Sequence, residues 1–91
     1  STQEKLQAST IYKSLCYARN HFDNGNRSSS EIIKTFEKNL NDQLVKNIDY
    51  VSIVDETTFM ITNGNIENNA FLLVAIKIGT TRLIDNVELL I

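Results

Sequence analysis

Apolar residues in the first half of the chain recur at steps of three and four, which predicts two amphipathic helices. The first helix follows a capping box in which Ser1 lies three residues before Glu4, and Gly25 is suited to end it. The second helix repeats the device, with Ser28 as cap and Glu31 three residues later. The predicted buried faces contain Ala8, Ile11, Tyr12, Leu15, Ala18 and Phe22 in the first helix and Ile32, Ile33, Phe36, Leu40 and Leu44 in the second. Two antiparallel helices joined by the polar corner DNGNR are the expected result.

After residue 47 the apolar period changes to two, which predicts strands. The segment IDYVSIV at 48–54 reads as the first strand, whereas the following ETTFMI is ambiguous and compatible with a short turn of helix. The polar segment TNGNIENN reads as a loop in which Asn63 and Gly64 favour a tight turn. The run AFLLVAIKI at 70–78 is apolar at nearly every position, which is typical of a central strand covered on both faces.

Gly79 and Thr80 separate two apolar runs, a pattern that predicts a two-residue type II′ hairpin turn leading into the strand TRLIDNV. That turn predicts one side of the hairpin with the pairs Ile78–Thr81, Ile76–Leu83 and Val74–Asp85, and another with Lys77–Arg82, Ala75–Ile84 and Leu73–Asn86. The first side is expected to face the helices. The sequence therefore predicts one α+β domain over residues 1–91, with two N-terminal helices packed on a small three-stranded, mainly antiparallel β-sheet that ends in a β-hairpin.

Length and charge exclude several classes of protein. The 91 residues are enough for one core, and a net charge of -2 argues against a nucleic-acid partner bound through a broad basic face. The longest apolar stretch is far shorter than the roughly 20 residues of a membrane span, and no basic-then-apolar leader opens the sequence. We therefore expect a soluble, cytoplasmic protein without membrane partners. Because Cys16 and His21 are the only residues of their kinds, no disulfide and no metal site are predicted.

The predicted hairpin contains the candidate site residues. Lys77 opposite Arg82 is an unfavourable like-charge pair, and three interpretations are open: the side chains splay apart, a carboxylate of the same chain lies between them, or they face a phosphate or a partner's carboxylate. We therefore treat both as candidate anion-facing residues. Asp85 is expected to be structural, accepting hydrogen bonds from backbone amides or pairing with a cation, because an isolated carboxylate on the apolar side is costly. Asn86 and Gly79 are expected to be structural in the same way, at the strand end and in the turn.

No catalytic residue is predicted. The three glycines lie far apart, which excludes a glycine-rich phosphate loop. Asp55 and Glu56 are adjacent strand-margin carboxylates that point to opposite faces, so they cannot act as an acid–base pair.

The order of segments resembles a known family. A helical hairpin, then IDYVSIVDETTF, then FLLVAIKIGTTRLIDNVEL is similar to the C-terminal domain of pantothenate synthetases, also called pantoate-β-alanine ligases, over essentially the whole chain. The two most specific blocks are 48–55 and 78–86, and the main departure is MITNGNIENN, which lacks the proline that this segment often contains. Enzymes of the family use ATP and pantoate to form pantoyl adenylate, which the amine of β-alanine attacks to give pantothenate and release AMP.

The resemblance implies a domain of a longer ligase that closes over the active site as a lid. The nucleotide-binding N-terminal domain, with the binding sites for ATP, Mg²⁺, pantoate and β-alanine, would then lie outside this sequence. The 91 residues alone would bind no cofactor and be inactive, and the full-length enzyme would be a homodimer. The half-apolar second face of the sheet, with Phe71, Leu73, Ala75 and Ile84, would meet the N-terminal domain or a second copy. Two other interpretations are a stand-alone interaction module sharing the fold and an anion- or nucleic-acid-binding domain using Lys77 and Arg82.

Overall fold

A computed structural model of the chain describes residues 2–42 and 48–91. Its elements are the helices α1 (Thr2–Asp23) and α2 (Ser29–Asp42) and the strands β1 (Ile48–Asp55), β2 (Ala70–Ile78) and β3 (Thr81–Leu89). The strands form one sheet in the order β1-β2-β3 with both pairs antiparallel, and the helices pack on one face of it. This arrangement confirms the predicted α+β class and the central position of β2.

The turn between the helices has the predicted boundaries. Gly25 has a φ of 107°, its amide donates to the carbonyl of Phe22 at 2.9 Å, and the amide of Asn26 donates to that of His21 at 3.0 Å. These two bonds are the Schellman arrangement that satisfies the last carbonyls of a helix. The hydroxyl of Ser28 accepts from the amide of Glu31 at 3.4 Å, which caps α2. The cap predicted at Ser1 lies outside the described residues, as does Leu44.

The core lies between the two helices and the sheet. Its fully buried members include Ile11, Leu15, Ala18 and Phe22 of α1, Ile32, Phe36 and Leu40 of α2, and Ile53, Ala70, Leu72, Val74, Ile76 and Leu89 of the strands. The prediction that Tyr12 belongs to this face is wrong, because Tyr12 is 51% exposed. The buried stripe of α1 centres on Ile11 and Leu15, and the buried residue next to Leu15 is Ser14.

The hairpin has the predicted register. All six predicted pairs occur, from Ile78–Thr81 to Leu73–Asn86. Gly79 has a φ of 58°, and Thr80 is not among the described residues with positive φ, which fits a type II′ turn. Val74, Ile76 and their neighbours at even positions of β2 face the helices, as expected.

The ambiguous segment after β1 forms a turn instead of a helix and then returns along the edge of that strand. Oδ1 of Asp55 accepts hydrogen bonds from the amides of Thr57 (2.8 Å) and Thr58 (3.0 Å), which holds the turn. The amide of Asp55 then donates to the carbonyl of Met60 at 2.9 Å. The predicted loop follows, with Gly64 at a φ of 81°. Within residues 2–42 and 48–91, neither helix combines the length and the apolar character that a membrane span requires.

Candidate functional site

The candidate site is the face of the sheet that points away from the helices, here called the outer face. Side chains alternate along each strand, so the residues that do not enter the core share this face. These are Tyr50, Ser52 and Val54 on β1, Phe71, Leu73, Ala75 and Lys77 on β2, and Arg82, Ile84, Asn86 and Glu88 on β3. An isolated bridge to Val54 places Ile61 beside them.

One end of the outer face is charged. Nε of Arg82 donates to Oδ2 of Asp49 at 3.0 Å, and its Cζ lies 5.9 Å from the ring centre of Tyr50. Asp49 reaches this position from a β-bulge, where the register of β1 against β2 shifts between Ile48 and Tyr50. One of the three interpretations of the cationic pair was a carboxylate of the same chain, and the carboxylate of Asp49 does lie beside Arg82.

The ion pair between Arg82 and Asp49 is solvent-accessible, with side chains 55% and 45% exposed. Such pairs contribute only about 0.2–1 kcal/mol, so an anion of higher charge can compete with Asp49 at small cost. Lys77 is exposed on the adjacent strand directly opposite Arg82. This end of the sheet can therefore present two cationic side chains to an anion, and the anion-facing role of both remains a prediction.

The rest of the outer face is apolar. Ile84 is 63% exposed, Ile61 is 65% exposed and Tyr50 is 42% exposed, while Phe71 and Leu73 are half-buried between them. Exposed apolar side chains grouped on one face are typical of a surface that contacts another structure.

Ala75 differs from the other apolar residues of this face. It is fully buried although it lies on the outer face, between its register partners Tyr50 and Ile84 on the flanking strands. Of the four residues expected to form the half-apolar face, Ala75 therefore adds no exposed surface.

Sequence reasoning did not identify Tyr50 and Ile61 as members of this surface. Alternation along IDYVSIV places Tyr50 on the face opposite to that of Val51 and Ile53, so the sequence did contain a signal for its position on the outer face. No local pattern places Ile61, because its position depends on the return of the chain along β1.

The residues expected to be structural lie in three parts of the hairpin: Asp85 on the side that faces the helices, Asn86 on the outer face and Gly79 in the turn. Asp85 is half-buried opposite Val74, on the side that faces the helices, and its Oδ1 accepts from the amide of Asn86 at 2.8 Å. A Cβ added to Gly79 would meet the carboxyl group of Glu4 at 3.6 Å. The structural roles assigned to these residues stay predictions.

The remaining reactive side chains are dispersed. In ranges 2–42 and 48–91 no three His, Cys, Asp or Glu side chains are grouped so as to hold a metal ion. The ring of His21 contacts that of Tyr17 edge to face at 5.1 Å, and Sγ of Cys16 lies 3.7 Å from the Arg19 guanidinium. The carboxylate of Asp55 is occupied by loop donors, chiefly the amides of Thr58 and Thr57, which hold its pKa below the usual range.

Comparison with known proteins identifies the family. The sequence profile described as pantoate-beta-alanine ligase matches residues 1–88. The pantothenate synthetase of Enterococcus faecalis is 40% identical over 86 residues, which are 94% of this chain and 30% of that protein. A bifunctional pantoate ligase/cytidylate kinase of Trichodesmium erythraeum is 38% identical and is covered over 17% of its length.

A solved structure agrees with the sequence relatives. The pantothenate synthetase of Thermus thermophilus superposes with a TM-score of 0.85 at 27% identity, covering 99% of this chain and 32% of that one. The chain thus spans about a third or less of the length of each of these relatives. On these grounds the chain belongs to the pantoate-β-alanine ligase family.

Proposed function

We propose that this chain is the C-terminal domain of an ATP-dependent ligase that condenses pantoate with β-alanine, and that it serves as the lid of the active site. The observation that carries this proposal is the outer face of the sheet, an accessible apolar surface with a cationic end, in a chain that spans only 30% of a relative's length. The nucleotide-binding domain of the same protein is the proposed partner of that face.

The chemistry explains why such an enzyme needs a lid. In the proposed reaction the carboxylate of pantoate attacks the α-phosphate of ATP to give pantoyl adenylate and pyrophosphate. The amine of β-alanine then attacks the acyl carbon, which forms the amide and releases AMP. A mixed anhydride exposed to water hydrolyses, so an apolar cover that excludes water protects the intermediate until the amine arrives. Ile84, Ile61 and Tyr50 are the side chains best exposed to form such a cover.

The cationic end suits the charge of the reactants. We assign to Lys77 and Arg82 the role of contacting phosphate oxygens of the nucleotide when the lid closes. Arg82 would exchange its ion pair with Asp49 for the nucleotide, which is inexpensive because that pair is accessible to solvent. ATP and Mg²⁺ would be held mainly by the nucleotide-binding domain, which leaves this chain inactive alone. A homodimer formed through the nucleotide-binding domains is the proposed assembly, in the cytoplasm.

The test is the variant Lys77→Ala with Arg82→Ala, made in the full-length ligase that contains this chain. A hydrogen bond to a charged group contributes about 1.5–3 kcal/mol, so each lost contact should lower kcat/KM for ATP about tenfold to a hundredfold, and the double variant, which loses both, should lower it at least tenfold. The effect on kcat/KM for β-alanine should be smaller, because that amine carries no phosphate. Lys13→Ala with Lys38→Ala, two exposed cations on the helices, is the matched control and should leave both constants unchanged.

A further variant separates the ligand contact from the ion pair. Asp49→Ala frees Arg82 and should maintain or slightly improve the use of ATP, whereas a purely structural role of the pair predicts the same loss as in Arg82→Ala. Unchanged kinetic constants for both substrates in the double variant would remove Lys77 and Arg82 from the site.

A further inference from the structure

The backbone hydrogen bonds of the sheet leave different groups free at its two edges. In a hairpin with a two-residue turn the residues flanking the turn form a hydrogen-bonded pair, and such pairs alternate with non-bonded ones along the ladder. Starting from the pair Ile78–Thr81, the odd residues of β3 bond to β2. The backbone groups of the even residues point away from the sheet; these residues are Arg82, Ile84, Asn86 and Glu88. By the same alternation, the outward groups of β1 belong to Val51, Ile53 and Asp55.

The edge of β1 is covered by the chain itself. The amide of Thr62 donates to the carbonyl of Ile53 at 2.8 Å, and the amide of Asp55 donates to the carbonyl of Met60 at 2.9 Å. Both bonds use the outward groups deduced from the register, which supports the deduction. Residues 60–62 thus occupy the edge that another strand would otherwise bind.

The edge of β3 is closed in a different way. Oδ1 of Asp85 accepts from the amide of Asn86 at 2.8 Å, and that amide is one of the four that point outward. Asp85 lies half-buried on the side of the strand that faces the helices. Its side chain covers a donor near the middle of the exposed edge.

A second copy of this chain is the partner that fits this edge. Two β3 strands paired antiparallel about a two-fold axis at residue 85 would bring Arg82 opposite Glu88 of the second copy, a charge-complementary pair. On the helix side the same register brings Leu83 opposite Val87. Ile84 and Asn86 would form a hydrogen-bonded pair in which the Asn86 amide donates to the Ile84 carbonyl.

Asp85 is the residue that opposes this otherwise complementary pairing. In that register it would meet Asp85 of the second copy in a non-bonded pair, with the Cα atoms about 4.5 Å apart, where like charges are unfavourable. Its hydrogen bond also occupies the Asn86 amide that the pairing requires. We propose that the carboxylate of Asp85 prevents strand pairing at the β3 edge, and that its removal lets two copies of the chain pair through β3 into one continuous sheet.

This role of Asp85 is tested with Asp85→Ala and Asp85→Asn in the 91-residue chain, by sedimentation equilibrium and light scattering at concentrations up to about 1 mM. The wild-type chain should have the monomer mass of 10.3 kDa, and Asp85→Ala should form dimers at concentrations at least tenfold lower than wild type. Asp85→Asn should be intermediate, because its amide oxygen can still accept from Asn86 while the repulsion is gone. Glu67→Ala, which removes an exposed carboxylate from the loop before β2, is the matched control and should stay monomeric.

Amide exchange locates the contact. In the wild-type chain the Asn86 amide should exchange more slowly than those of Ile84 and Glu88, and in the Asp85→Ala dimer all three should be slow. Adding Glu88→Arg to Asp85→Ala places arginines opposite each other and should weaken the dimer at least tenfold.

Three results would overturn the proposal. They are a folded Asp85→Ala chain that remains monomeric at 1 mM, a dimer unaffected by Glu88→Arg, and a wild-type Asn86 amide that exchanges as fast as its neighbours. If Asp85→Ala does not fold by far-UV circular dichroism, Asp85→Asn, which keeps the size of the side chain, decides the question by the same measurements.

Discussion

A partly buried hydrogen bond joins the two helices, and its surroundings determine its energetics. The hydroxyl of Ser14 is fully buried and donates to Oδ1 of Asn39 at 2.6 Å. Asn39 itself is half-buried and lines a cavity of about 250 Å³ together with Tyr17, His21 and Lys38. The two partners therefore differ in their access to water.

This difference predicts unequal effects of removing either partner. Asn39→Ala leaves a buried hydroxyl without its acceptor, which costs about 1–3 kcal/mol. Ser14→Ala leaves an amide that can bind water in the cavity, so only the net value of the bond, about 0.5–1.5 kcal/mol, is lost. Alanine at either helical position recovers up to about 0.7 kcal/mol of helix propensity. We expect Asn39→Ala to be the more destabilising variant by about 1 kcal/mol.

A double-mutant cycle tests this expectation. It compares the wild-type chain, the two single variants and the double variant Ser14→Ala with Asn39→Ala, each by urea unfolding followed by far-UV circular dichroism. The propensity changes cancel in the cycle, which should return a coupling energy of about 1 kcal/mol with unchanged m-values. In a domain of this size 1 kcal/mol is about 4–8 °C in Tm, well within measurement. A coupling energy near zero, or Ser14→Ala as the worse variant, would refute the unequal burial argument.

Two further predictions concern the turn after β1. The amides of Thr58 and Thr57 and the side chain of Asn68 hold the pKa of Asp55 in the folded protein below its value in the unfolded chain. The stability that this carboxylate supplies should therefore be complete above the ordinary Asp pKa of about 3.9, and it should disappear as the pH falls through the lower pKa of the folded state. Asp55→Asn should therefore flatten the acid limb of a stability–pH curve, and an unchanged limb would contradict the assignment. Phe59 has a φ of 59° and is 75% exposed, so Phe59→Gly should remove left-handed strain without losing buried surface and raise the unfolding free energy by about 0.5–1 kcal/mol; a loss of stability in urea would show that Phe59 contributes more than its conformation suggests.

Local patterns were sufficient for most of the fold. Gly25 and Ser28 mark helix ends through bonds within a few residues, and the Gly79 turn sets the register of β2 against β3 because a two-residue loop leaves no freedom. The misplaced residue, Tyr12, sits at the edge of the apolar stripe, where an aromatic ring with a polar end can lie on either side.

The charged end of the outer face depends on contacts that no local pattern specifies. Arg82 and Asp49 are 33 residues apart, and they meet because a bulge in β1 displaces the register. The two-residue turn predicted that Lys77 and Arg82 would lie opposite each other, but a carboxylate of the same chain was only one of three interpretations. The return of residues 60–62 along β1 is likewise determined by tertiary hydrogen bonds.

The packing of α1 against β3 joins the first described element to the last. The other extensive packing, of α1 with α2 and of each strand with the next, occurs between elements that are consecutive in the sequence. Most of the domain can therefore form by closing short loops, and the docking of α1 on β3 is the step that must overcome the entropy of closing a long loop. Since the chain contains no proline, no prolyl isomerisation delays that step, and the folding rate should depend on how fast α1 docks on β3.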